Sequence, residues 1–125
     1  MHNCIISLAS NYRQEENLAE ARQRLSQVLL ECRFTRELQT EPFRSSRPEL
    51  YANQLLYAKT QLDAMQLVRL LKELELAMGR TAEARSQGIV GIDLDLMLFD
   101  ETRYHLRDWE RPYILALLNE PVVEL

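Results

Sequence analysis

The run Ile92 to Phe99 alternates in a manner that only an extended strand can use, and it constrains the rest of the chain more than any other segment. Successive side chains of a strand point to opposite faces. Ile92, Leu94, Leu96 and Leu98 are therefore expected on one face, and Asp93, Asp95, Met97 and Phe99 on the other. The wholly apolar face needs a layer to cover it. The second face mixes two carboxylates with two large apolar groups, a combination that a freely solvated surface does not favour.

A covering layer is present in the sequence. Asp63 followed by Gln66 makes a capping-box-like helix start, after which Leu67, Val68, Leu70, Leu71, Leu74 and Met78 form an apolar stripe closed by Gly79. A first helix is expected from about Glu15 to Leu30, where Leu18, Ala21, Leu25, Val28 and Leu29 recur at helical spacing. Glu15 and Glu16 stand at its amino terminus, which favours negative charge, and Arg22 and Arg24 read as its solvated face.

Asn3 to Leu8, Arg33 to Thr40 and Tyr51 to Lys59 have strand composition. In the last of these Leu55, Tyr57 and Lys59 share one face, with Leu56 and Ala58 on the other. Glu41 to Pro48 and Thr81 to Gly91 read as loops from their proline, serine and glycine content. Asp108 is placed to cap a final helix running through Tyr113, Ile114, Leu117 and Leu118, with Pro112 in its first turn and Trp109 anchoring it on the core. The order β-α-β-β-α-β with a trailing helix is that of the ferredoxin-like sandwich, an α+β fold with an antiparallel sheet.

At 125 residues the chain is sized for a single domain spanning residues 1–125. Its net charge of -4 argues against nucleic acid as a partner, because affinity for a polyanion comes mainly from neutralised phosphates. Apart from Lys59 and Lys72 the basic residues are all arginines, whose planar donor fork suits carboxylate or phosphate. Cys4 and Cys32, read as lying in a strand and at a helix end, have no metal-ligand spacing and are expected as reduced, buried thiols. No apolar run approaches about eighteen residues, and no basic stretch leads into one at the amino terminus. The expectation is a cytoplasmic protein with no membrane partner.

Asp93 and Asp95 have Cα atoms about 6 to 7 Å apart from the strand rise. Such a pair is repulsive unless a cation is shared. Hard oxygen ligands at this spacing suit Mg²⁺, which takes one or two carboxylates and completes its shell with water and substrate phosphates.

The stretch Glu73-Leu74-Glu75-Leu76-Ala77-Met78-Gly79-Arg80, a loop, and then Ile92 to Phe99 resembles the signature of the 6-hydroxymethyl-7,8-dihydropterin pyrophosphokinases of folate synthesis. In that family a Glu-containing helix ends in Gly-Arg, and a loop leads to a strand reading Asp-Leu-Asp-Leu. Ser10-Asn11, Thr40-Glu41-Pro42, Tyr51 with Asn53, and His105 with Arg111 match the family in the same order.

The resemblance implies ATP-dependent transfer of a pyrophosphoryl group to the hydroxyl of 6-hydroxymethyl-7,8-dihydropterin, giving AMP. It implies that Asp93 and Asp95 bind two Mg²⁺ ions, that Arg80, His105 and Arg111 contact phosphates, and that Glu75 lies beside the nucleotide. It further implies that Asn53 hydrogen-bonds the pterin, that Tyr113 stacks on it, and that Thr40 and Phe43 belong to its loop. Small-molecule substrates and a monomer or weak homodimer are the expected partners and state.

The chain departs from the family at Ser86-Gln87-Gly88-Ile89-Val90-Gly91, where Arg-Trp-Gly-Pro-Arg-Thr is usual. Arg85 is a candidate to substitute for the missing arginine from an earlier position. The departure keeps open an alternative, a member without catalysis that serves as a ligand-binding or interaction module. An unrelated ferredoxin-like regulatory domain is a third reading.

Overall fold

The computed structural model describes residues 1–42, 48–79 and 81–124. Its central sheet carries β1 (His2–Ser10), β2 (Leu30–Phe34), β4 (Tyr51–Thr60) and β5 (Asp93–Phe99) as principal strands. Short strands β3 (Leu38–Thr40), β6 (Thr102–Arg103) and β7 (Val123–Glu124) extend it. The order is β6-β5-β1-β4-β2-β7, every pairing is antiparallel, and β3 pairs with β4. With the short strands set aside, β5-β1-β4-β2 is the arrangement of the ferredoxin-like sandwich that the element order predicts.

Helices α1 (Gln14–Val28) and α2 (Ala64–Ala77) cover one face of the sheet. Leu18, Ala21 and Leu25 of α1 and Leu67 and Leu71 of α2 bury against Ile6, Leu8, Leu56, Leu94 and Leu96. Each fully buried aliphatic side chain of this kind contributes about 1.5 to 3 kcal/mol relative to exposure. Asp63 and Gln66 form the complete capping box of α2. Gly79, just past the end of that helix, has φ +93, a conformation available to glycine without Cβ strain.

The opposite face is only partly covered. A short helix α4 (Pro112–Leu118) packs Ile114 and Leu117 on Ile5, Leu55 and Met97, leaving the amino-terminal half of β5 open beside it.

Several sequence expectations are corrected. Phe99 does not share a face with Asp93 and Asp95. Ile5 pairs with Leu98 and Ile6 with Leu96, so Met97 is the extra residue of a β-bulge, and Phe99 packs with the helix-side core while Leu98 crosses to the α4 side. Arg33 to Thr40 is not one strand. It breaks after Phe34, where the Thr35 hydroxyl accepts from the Leu55 amide (3.0 Å) and the Gln54 side chain donates to the Thr35 carbonyl (2.7 Å).

Cys32 lies in β2 rather than at a helix end. The segment from Thr81 to Gly91 contains a short helix α3 (Ala82–Ser86), capped by the Thr81 hydroxyl. Arg22 is not on a solvated face, for its guanidinium donates to Gln54 (3.0 Å) and Glu37 (3.3 Å). Asp108 does not cap α4; it sits in a 3-10 turn and accepts from Arg111 Nε at 2.8 Å, and Arg111 occupies the cap position without a side-chain bond to the helix.

Both cysteines are free thiols. Burial pushes Cys4 up to about 11, with Cys32 adding to the rise, and burial likewise raises Cys32. The reactive species is the thiolate, so at pH 7.5 the folded protein is expected to leave Cys4 unlabelled by iodoacetamide, whereas denaturant exposes both thiols. Intact-mass spectrometry reads the difference; rapid native labelling of Cys4 would contradict it.

Candidate functional site

Beside α4 the uncovered sheet forms a cleft of about 670 Å³. Its floor comes from three adjacent strands whose registers align Ser7 with Asp95 and Leu55, and Ala9 with Asp93 and Asn53. Ser7 and Ala9 are small, so the sheet is hollow where the two carboxylates project, and Met97 lies further along the same wall. Thr40, Glu41 and Tyr51 form one rim, and Arg107, Asp108, Glu110, Arg111 and Tyr113 the other.

Asp93 and Asp95 are half-buried, and Nε2 of His105 stands 3.8 Å from Oδ1 of Asp95. His105 has φ +54, a left-handed conformation uncommon outside glycine, fixed in a turn where its carbonyl accepts from the Asp108 amide at 2.8 Å. Burial raises the Tyr113 phenol pKa; Arg111 pulls the other way, and Asp108, Asp95 and Asp93 add to the rise. The ring therefore stays a neutral aromatic surface at physiological pH.

Asn53 is almost fully buried, and its Nδ2 donates to Thr40 Oγ1 (2.8 Å) and to the Leu38 carbonyl (3.1 Å). These bonds dock β3 onto β4 and fix the rim on that side.

A smaller cavity of about 280 Å³ lies on the other side of the carboxylates, lined by Lys72, Glu75, Leu76, Arg85, Asp93, Leu94 and Asp95. Glu75 is 7% exposed, and its Oε2 accepts from the Leu94 amide at 2.7 Å. Leu94 lies on the outer side of the sheet, where β6 pairs only with Leu98 and Phe99, so a side chain from α2 takes the place of a neighbouring strand. This bond holds the one residue that separates Asp93 from Asp95.

The departing loop is fastened as well. Asn11 donates from Nδ2 to the Gly88 carbonyl (2.9 Å), accepts from the Val90 amide (2.7 Å), and pairs its own amide with the Val90 carbonyl (2.9 Å).

Of the residues expected from sequence, Thr40, Asn53, Asp93, Asp95, Arg111 and Tyr113 come together in the larger cleft, with His105 against Asp95. Glu75 joins the carboxylates in the smaller cavity. Phe43 and Arg80 lie outside the described residues. Sequence reasoning missed Ser7, Ala9 and Arg107. The alternation of β1 was the available signal for the first two, since it places a serine and an alanine where Ile5 would predict another large side chain.

Among the described residues no three His, Cys, Asp or Glu side chains group to hold a metal ion by themselves. The donor set is two carboxylates opening onto a cleft, which fits a hard cation that keeps water and substrate oxygens in its shell and does not fit a closed structural site. Among the described residues no helix is long and apolar enough to cross a membrane.

Residues 5–122 match the family model described as 7,8-dihydro-6-hydroxymethylpterin-pyrophosphokinase (HPPK). The chain is similar to the folate synthesis bifunctional protein of Arabidopsis thaliana, at 30% identity over 95 residues, an alignment that covers 70% of this chain and 19% of that protein. The chain thus spans less than a fifth of the length of the curated relative it matches.

Proposed function

Because the chain belongs to the 7,8-dihydro-6-hydroxymethylpterin-pyrophosphokinase family, we propose that it transfers a pyrophosphoryl group from ATP to the hydroxyl of 6-hydroxymethyl-7,8-dihydropterin, releasing AMP. The observation that carries this reading is that Asp93 and Asp95 line two cavities at once. A reaction joining an alcohol to a nucleotide phosphate needs such a junction, with each substrate entering from its own side.

The larger cleft, at about 670 Å³, is within the usual range for a small-molecule site and takes the pterin. Asn53 hydrogen-bonds the ring, Thr40 and Phe43 contribute to its binding, and Tyr113 stacks against it. The smaller cavity with Glu75 takes the nucleotide side. Asp93 and Asp95 are the residues that would hold Mg²⁺, and when bound the ions neutralise phosphate charge and bring the two oxygens into line. Arg80, His105 and Arg111 contact the phosphates. The protein contributes position and preorganised charge, which are the main requirements of phosphoryl transfer. We assign the reaction to the cytoplasm, and to a monomer or weak homodimer of a single domain over residues 1–125.

A coupled assay for AMP tests the proposal. Purified protein with Mg²⁺ and ATP is expected to release AMP only when reduced hydroxymethylpterin is added. Absence of AMP despite binding of ATP would favour the module without catalysis; absence of both would reject the assignment.

A further inference from the structure

Between β6 and α4 the chain passes from one side of the sheet to the other. The Tyr104 ring packs with the core beneath α1 and α2, whereas the Trp109 ring packs with the core beneath α4. The residues between them round the outer edge of β5, and His105 lies on that path, with Nε2 3.8 Å from Oδ1 of Asp95. His105, Leu106 and Arg107 are all exposed. Little packing holds them, so the position of this turn is set at its two ends.

Both ends are fixed. The Tyr104 amide donates to the carbonyl of Met97, the bulged residue of β5, at 2.9 Å. The Trp109 indole donates from Nε1 back to the Tyr104 carbonyl, also at 2.9 Å. On β6 the Arg103 guanidinium carbon lies 4.4 Å from the centre of the Trp109 ring, a cation-π contact that holds the indole against the sheet edge. One side chain thereby ties the residue before His105 to the 3-10 turn after it and to the core under α4.

Burying an aromatic ring under α4 requires only apolar area. An indole N–H that reaches back five residues does something further, because it draws the two ends of the turn together. His105 stands inside that closed turn with φ +54, a conformation that a residue with a Cβ keeps only where its surroundings enforce it. Trp109 itself lines neither of the two cavities at the carboxylates.

We infer that Trp109 is a positioning residue of the site: its bond to Tyr104 sets where His105 stands relative to Asp95, and it acts on the reaction through His105. The inference rests on the proposed pyrophosphokinase reading and assigns to that reaction a residue that touches neither substrate.

A double-mutant cycle on the full chain, read in the AMP assay, is the test. Trp109→Phe keeps an aromatic ring for the core and for Arg103 and removes the indole donor. It is expected to lower kcat/KM for ATP about tenfold, a loss that a small misplacement suffices to cause, while circular dichroism shows a cooperative melting transition as in the unaltered protein. In a His105→Ala background the same substitution should change kcat/KM by less than about twofold, because the group it acts through is gone. A tenfold loss in both backgrounds, or no loss in either, would overturn the inference and leave the pyrophosphokinase reading standing.

A second measurement needs no variant. Trp109 is the only tryptophan, so the protein has a single indole N–H resonance. That proton should exchange with deuterated solvent at least about a hundredfold more slowly than in the unfolded chain, and exchange at the unfolded rate would show the turn open and overturn the inference. Absence of AMP from the unaltered protein would overturn both the inference and the reading on which it rests.

Discussion

On the proposed assignment, Asp95→Ala lowers the rate of AMP formation by about a thousandfold or more, and Asp93→Ala does the same. Removing a single preorganised group that stabilises developing charge typically costs about 2.7 to 4 kcal/mol. The loss here is at the upper end or beyond, because each carboxylate is one of only two in the pair lining both cavities. The effect should fall on kcat with the fold intact. Asp95→Asn separates charge from shape, since it keeps the side-chain volume and should be nearly as inactive. An active Asp95→Ala protein would remove the basis of the metal assignment.

Glu75→Ala is expected to reduce both stability and activity. The Leu94 amide would lose its acceptor inside the protein, and leaving a buried donor unsatisfied costs about 1 to 3 kcal/mol. Because Leu94 separates Asp93 from Asp95, any shift of its backbone misaligns both carboxylates. Glu75→Gln retains an oxygen acceptor at the same place and should recover most of the stability. Thermal unfolding and the AMP assay, run on both variants, test this. Equal losses in Glu75→Gln and Glu75→Ala would show that the negative charge, rather than the hydrogen bond to Leu94, is what matters.

The parts of the fold that were legible in the sequence are those where one physical signal operates alone. The capping box of Asp63 and Gln66, the stripe from Leu67 to Met78 and the alternation of Leu55, Tyr57 against Leu56, Ala58 all lie in long elements whose buried face repeats regularly. The errors cluster where long-range pairing decides. The bulge at Met97 is set by β1, because only the register of Ile5 and Ile6 against Leu98 and Leu96 makes one residue superfluous. Nothing within Ile92 to Phe99 marks it.

The break between β2 and β3 depends likewise on Thr35 finding Leu55 and Gln54 across the sheet. Asp108 was misread because two uses of one carboxylate competed. A cap bond and an ion pair with Arg111 are both local, and the 3-10 turn over Asp108–Glu110 favours the second. At the site, strand alternation puts Asp93, Asp95 and Asn53 on the face that lines the larger cleft, where Thr40, Arg111 and Tyr113 also lie. Lys72 and Arg107 carried no comparable pattern, for each becomes meaningful only once α2 and the segment after His105 are brought beside β5.

The account's central claim is that Asp93 and Asp95 hold the cation at which two substrates meet. Crystals grown with Mn²⁺ and a non-hydrolysable ATP analogue test it most directly, through the anomalous signal of the metal. The account predicts manganese in direct contact with carboxylate oxygens of both Asp93 and Asp95, with the analogue's phosphates extending into the smaller cavity beside Glu75. Nucleotide and metal bound elsewhere, with both carboxylates surrounded by water alone, would contradict it.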